Sequence, residues 1–142
     1  ALAVVAHAMP RREAVWWAWA SARRVLAEPV PPPVRASLEA TERWIAQPTD
    51  EHRRAARAAG EAAGFDTPAG CAGLGAFLSG GSLAPPGLPD VYPTEFLTAR
   101  AVHGALLLAG LQGEPAQAKT RYAEFFEQGM DVMARLNFWP AA

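Results

Sequence analysis

The stretch TEFLTARAVHGALLLAGLQG, residues 94–113, decides the fold. At helical spacing its apolar residues surround the helix axis, and only Arg100 and His103 interrupt them, while Thr94 is a suitable N-cap. A helix that is apolar on every side is either buried among other helices or spans a membrane. The uninterrupted apolar run, residues 104–111, is far shorter than the roughly 20 residues that a span needs. We therefore predict a buried central helix over 94–113 and no membrane span.

The remainder of the chain also predicts helices, so the fold class is all-α. Apolar periodicity and capping residues, including Thr49 and Thr67, place further helices at about 1–9, 11–27, 34–46, 50–63, 67–78 and 114–136. Two proline-rich segments, 28–33 and 80–93, are predicted to run as straps across the helices. We expect one helical domain, residues 1–142, with about six helices packed as antiparallel hairpins around the central helix. Phe138 or Trp139 in the tail should pack back onto the body.

Composition excludes some function classes. The 13 basic and 14 acidic residues give a net charge of −1, which argues against a nucleic-acid partner because such binding scales with the cations a protein presents. The single cysteine, Cys71, cannot form an internal disulfide. That fits a reducing compartment, so we expect a cytoplasmic protein.

Catalytic and cofactor motifs are not predicted. The sequence around Ser82, GGSLA, is one residue short of a nucleophile elbow and has a predicted helix where that motif needs a strand. The glycines of 70–75 lack the ending of a phosphate loop and better fit close helix packing. His7, His52 and His103 lie on three different predicted helices. We therefore predict no catalytic residue, no cofactor and no metal site.

Recognition of a protein partner is the favoured function. Trp17 points away from the broad apolar face of the second helix, so it either lies over a neighbouring helix or anchors an interface. Arg24 lies nearby, and Trp and Arg dominate binding hot spots. The predicted contact surface combines this helix with the two straps, through Trp17, Arg24, Pro31, Leu83, Leu88 and Tyr92.

Two other functions stay open. Arg100 and His103 share one stripe of the central helix, and polar groups there must be hydrogen-bonded or face a groove. They could form the floor of a pocket in a small-ligand-binding protein or an enzyme. Alternatively, the apolar stripes serve homodimerisation.

The chain resembles a family of small, functionally uncharacterised proteobacterial proteins. The similarity is carried by HAMPRREAVWWA at 7–18 and by AGFDTPAG, FLSGGSLAPPGLPDV and LTARAVHGALLLAG within 63–110. Genes of that family lie beside type VI secretion spike and effector genes. The resemblance therefore implies a cytoplasmic adaptor or co-chaperone that helps to load a secretion effector or spike component.

Overall fold

The computed structural model describes residues 1–136, and these residues form seven α-helices. The helices are α1 (Leu2–Ala8), α2 (Arg11–Arg24), α3 (Pro32–Ala46), α4 (Asp50–Ala63), α5 (Pro68–Phe77), α6 (Leu97–Gly110) and α7 (Ala118–Arg135). A short 3-10 turn, Pro115–Gln117, precedes α7. No strand occurs within residues 1–136, so the all-α prediction is confirmed. The expected packing of Phe138 or Trp139 lies outside the described residues.

Local chemistry explains the starts of α3, α4 and α5. The Thr49 side chain accepts a hydrogen bond from the backbone N–H of His52 at 3.1 Å, and Thr67 does the same for Gly70 at 3.0 Å. Both satisfy N–H groups that have no partner inside the helix. The first strap is shorter than predicted, because Pro32 and Pro33 form the first turn of α3. Proline is tolerated there since its missing N–H would have had no partner.

The most enclosed helix is α5, not the helix that the sequence suggested. Eight of its ten residues are buried, and it packs against α2, α3, α4 and α6. Gly73 permits this packing, because a Cβ there would lie 2.6 Å from the carbonyl oxygen of Ala56. A Cβ on Gly70 would likewise collide with the carbonyl of Gly64. The prediction that these glycines serve close helix packing agrees with that geometry.

Helix α6 is buried on one side only, so its predicted enclosure was wrong. Val102 and Leu106 are fully buried, whereas Leu107 is 43% exposed and Leu111 is 67% exposed. The N-cap is Phe96, in the left-handed region at φ 69°, so α6 begins three residues after the predicted Thr94 cap. Its neighbours α1, α2, α5 and α7 leave Leu107 and Leu111 exposed. Apolar character does not force burial, because much of any folded surface is apolar.

None of the helices within residues 1–136 is both long and apolar enough to cross a membrane.

Candidate functional site

Trp17 is a core residue, and its predicted exposure at an interface was wrong. The side chain is 0% exposed, and its indole N–H donates to the Phe125 carbonyl at 2.9 Å. The ring lies against the backbone of α7 at Gly129, where an added Cβ would come within 2.6 Å of a ring carbon. We call Trp17, Phe125 and Gly129 the Trp17 wedge, because the buried ring of Trp17 packs between α2 and the backbone of α7.

Beside the Trp17 wedge, an open groove with a volume of about 870 Å³ runs between α2 and α7. We call it the α2–α7 groove. Its apolar walls come from Trp16 and Trp19 on α2 and from Phe126 and Met130 on α7. The other lining residues are Ala20, Arg23, Arg24, Glu124, Glu127, Gln128 and Asp131. Of the predicted contact residues, the groove contains Arg24.

The two walls of the groove differ in charge. On α2 the charged lining residues are Arg23 and Arg24; on α7 they are Glu124, Glu127 and Asp131. The Arg23 guanidinium lies 4.5 Å from the centre of the Trp19 ring, a cation–π arrangement. Arg24 and Glu124 approach to 3.5 Å across the groove, and both side chains are nearly half exposed. Exposed pairs of this kind are weak and open easily.

The sequence predicted Trp17, and not Trp16 or Trp19, as the contact tryptophan of α2, so this groove was missed. Trp19 is indeed buried, with its indole N–H donating to the Leu38 carbonyl at 3.0 Å, but one edge still lines the groove. One feature of the α7 sequence could have indicated the groove. Its apolar stripe includes Phe126 and Met130, which are only partly buried. The stripe therefore exceeds what the described helices cover.

The predicted strap residues lie elsewhere. Pro31 lines a separate cavity of about 270 Å³ near the end of α2, with Val25, Leu26 and Val34. In the second strap, Leu83 is partly buried, whereas Leu88 and Tyr92 point outward. The structure thus divides the predicted contact residues among four places: the core, the groove, the cavity beside Pro31 and the second strap.

The second strap meets α2 at the opposite end from the groove. The Arg11 guanidinium donates to the Ser79 carbonyl at 2.8 Å, where the strap leaves α5. Arg24 closes the other end of this 14-residue helix. At 1.5 Å per residue the two ends are about 20 Å apart. The groove lining begins at Trp16 on α2, so the strap contact at Arg11 lies outside it.

A buried arginine holds the base of the strap. Arg53 donates to the carbonyls of Phe77 and Ser82, each at 2.7 Å, and pairs with Asp50 at 2.7 Å. Hydrogen bonds from Arg53 and Arg54 hold the pKa of the Asp50 carboxyl below its usual value.

The Ser82 hydroxyl then accepts from the backbone N–H groups of Ala84 and Val91, at 3.1 and 3.0 Å. These bonds close the strap on itself. They give Ser82 a structural role.

Arg100 and His103, the predicted pocket floor, lie on α6. Arg100 is exposed and His103 is partly buried on α6. Neither lines the α2–α7 groove, the cavity beside Pro31 or a third cavity of about 220 Å³ beside His7. Burial chiefly lowers the pKa of His103, and the nearby His7 adds to the effect.

Within the part of the chain that the structure describes, no three His, Cys, Asp or Glu side chains cluster as metal ligands. The Cys71 thiol donates to the Phe65 carbonyl at 2.9 Å. Burial, helped by the charge of Asp66, raises the pKa of this thiol, so the reactive thiolate is disfavoured.

A comparison with models of known protein families places the chain in one of them. The model of a family of unknown function, DUF6931, matches residues 1–133. The chain belongs to this family. No curated protein matches the sequence, and no solved structure matches it either.

Proposed function

We propose that the protein is a non-catalytic adaptor or co-chaperone that binds a protein partner in the α2–α7 groove. The observation that carries the proposal is the groove itself, an open trough of about 870 Å³ with two tryptophans in its wall. Aromatic side chains and arginine are enriched at the centres of protein interfaces. The Trp17 wedge holds the walls apart, so little reorganisation is needed before a partner enters.

The exposure of the groove supports a protein partner over a small substrate. Small-molecule sites usually enclose most of the ligand surface. Here Arg23, Arg24, Glu127 and Asp131 are all exposed along the rim, so the groove is open to solvent. A polar rim around an apolar centre is the usual anatomy of a protein interface.

The resemblance to proteins encoded beside secretion genes supplies the proposed partner class. We propose that the partner is a type VI secretion effector or spike component, bound in the cytoplasm before export. The near-neutral net charge of −1 is compatible with such a protein partner.

A pull-down from the native host tests this function, with bound proteins identified by mass spectrometry. The groove variant is Arg24→Glu/Glu127→Lys, which reverses one charge on each wall and leaves the Trp17 wedge intact. The matched control, Glu39→Lys/Arg43→Glu, reverses an exposed pair on α3 whose atoms lie 3.9 Å apart. Circular dichroism confirms that both variants are folded.

We expect the wild type and the α3 control to retain an effector or spike component that the groove variant loses. Retention of the same protein by all three would place its binding surface outside the groove. Capture of no secretion component by any of them would contradict the proposed partner class.

A homodimer is a second candidate, favoured by the outer face of α6. Phe96, Leu107 and Leu111 are exposed there, and Val4 on α1 is 71% exposed. Exposed apolar side chains on one helix face are candidates for an interface between copies. Light scattering of the wild type and of Leu107→Glu/Leu111→Glu tests this, since a dimer on this face should dissociate in the variant.

The small-ligand alternative predicts that Arg100→Met abolishes ligand binding in a folded protein. Retained binding of that ligand would contradict it.

A further inference from the structure

We infer that the occupant of the α2–α7 groove is one amphipathic α-helix of split charge, acidic along the flank facing α2 and basic along the flank facing α7. This inference rests on the proposed function and specifies the chemistry of the partner.

Shape favours a helix over a second copy of the same surface. The groove is concave and bounded by two helices, so a convex rod fills it, as in other helix-in-groove interfaces. Two grooves placed face to face would leave an unfilled space between them. Packing at interface centres is as dense as in protein interiors, which disfavours that arrangement.

The length of the groove fixes the number of anchors. Its α7 wall extends from Glu124 to Asp131. At 1.5 Å per residue this is about 10 Å, or two helical turns. An occupant helix therefore contributes apolar side chains at i, i+3 or i+4, and i+7. These anchors would contact Trp16 and Trp19 on one side and Phe126 and Met130 on the other.

Charge complementarity fixes the flanks of the occupant. Both charged residues of the α2 wall are arginines, and all three of the α7 wall are acidic. Acidic residues of the occupant should therefore face Arg23 and Arg24, and basic residues should face Glu127 and Asp131.

A buried acceptor in the α7 wall also lacks a partner. Gln128 lines the groove, and its Oε1 atom is buried with no hydrogen-bond partner among the described residues. Such unsatisfied groups are uncommon in folded proteins. Because the oxygen is shielded from solvent, the Gln128 side chain would have to rotate before a donor on the occupant helix could reach it.

Designed peptides provide the test. Three fluorescein-labelled peptides of about 18 residues carry leucines at i, i+3 and i+7, a length sufficient for helix formation on binding. The split peptide has Glu on one flank and Lys on the other. The interleaved peptide has the same composition with Glu and Lys mixed on both flanks, and the lysine peptide has Lys on both.

The interleaved peptide is the necessary comparison. Reversing the direction of a helix in a groove exchanges its two flanks. A split peptide can therefore bind in the direction that places its charges opposite complementary charges on both walls. An interleaved peptide cannot do so in either direction.

Binding to the full chain is measured by fluorescence anisotropy, with circular dichroism reporting helix formation in the peptide. We expect the wild type to bind the split peptide about tenfold more tightly than the interleaved one at low salt. This preference should disappear near 1 M salt, where charges are screened within about 3 Å. The variant Arg23→Glu/Arg24→Glu makes both walls acidic and should prefer the lysine peptide.

The control variant Arg35→Glu/Arg43→Glu changes two exposed arginines of α3 and should bind as the wild type does. Equal binding of the split and interleaved peptides, or an unchanged preference in the Arg23→Glu/Arg24→Glu variant, would overturn the inference. A wild-type dimer that Arg23→Glu/Arg24→Glu dissociates would identify a second copy as the occupant and would also overturn it.

Failure of all three peptides would overturn the helix inference alone if the host pull-down still captured a secretion component through the groove. If that pull-down also failed, the proposed function would fall with it.

Discussion

Placing a methyl group at Gly129 should destabilise the protein, although the same change usually stabilises a helix. Gly129 lies in the interior of α7, where Gly→Ala alone gains about 1 kcal/mol. Here the new Cβ would lie 2.6 to 3.0 Å from three ring atoms of Trp17. That ring is fully buried and held by its 2.9 Å hydrogen bond to the Phe125 carbonyl, so it has no free space to enter.

The magnitude follows from three opposing contributions. Overpacking a core costs about 1–3 kcal/mol, and displacing the indole would forfeit a hydrogen bond of about 1 kcal/mol. Subtracting the gain in helix propensity leaves a net loss of about 1–3 kcal/mol in the free energy of unfolding. Urea denaturation followed by far-UV circular dichroism measures it directly.

Gly104→Ala is the matched control for this change. Gly104 lies in the interior of α6, and an added Cβ would meet only the Cys71 sulfur, at an ordinary 3.9 Å. We expect this variant to be more stable than the wild type by up to about 1 kcal/mol. If Gly129→Ala were as stable as Gly104→Ala, the Trp17 wedge would not fix the distance between α2 and α7.

Three further outcomes are expected. Arg53→Met should lower the free energy of unfolding by about 3 kcal/mol in urea. It leaves the Phe77 carbonyl without its charged donor and removes the 2.7 Å bond to the Ser82 carbonyl, which keeps the 3.3 Å bond from Arg54. Arg54→Met on the same helix should cost less than about 1 kcal/mol, and equal costs would contradict the role of the buried guanidinium. Ser82→Ala should accelerate hydrogen exchange at the Val91 amide, because that amide loses its hydrogen-bond acceptor. Amides of α7 should exchange as before. An unchanged exchange rate at Val91 would refute the role of Ser82 in closing the strap. The folded-state pKa of His103 lies below the ordinary value of 6.5. Folding therefore favours the neutral imidazole, and the stability this contributes is present above pH 6.5 and is lost as the pH falls toward the folded-state pKa. Thermal melts between about pH 7 and pH 5 should therefore show a smaller loss of stability for His103→Gln than for the wild type.

The sequence predicted the helices better than it predicted their surroundings. Periodicity and the Thr49 cap placed α4 at its observed bounds, because those signals are local. Burial depends on which helices meet, and local patterns do not contain that information. For this reason the apolar pattern of α6 predicted a central helix. The small residues of α5 instead let the helices around α5 pack closely against it.

For the candidate site, too, the sequence predicted the helix on which a residue lies but not what surrounds that residue. Arg24 was correctly placed on the second helix, and the structure locates it in the groove wall. The roles of the adjacent tryptophans depended on where α7 crosses α2. Gly129 makes that crossing possible because it leaves room for the Trp17 ring. The apolar stripe of α7 does not indicate that Trp17 packs there.

The Trp17 wedge also bears on how this family can diversify. The spacing of the two walls depends on Trp17, Phe125 and Gly129, all of which are buried. The residues that would meet a partner, such as Arg23 and Glu127, take no part in that spacing. Substitutions at the rim can therefore change which ligand is accepted without a large change in folding stability. An engineer could exploit the same separation by randomising the rim and leaving the wedge untouched.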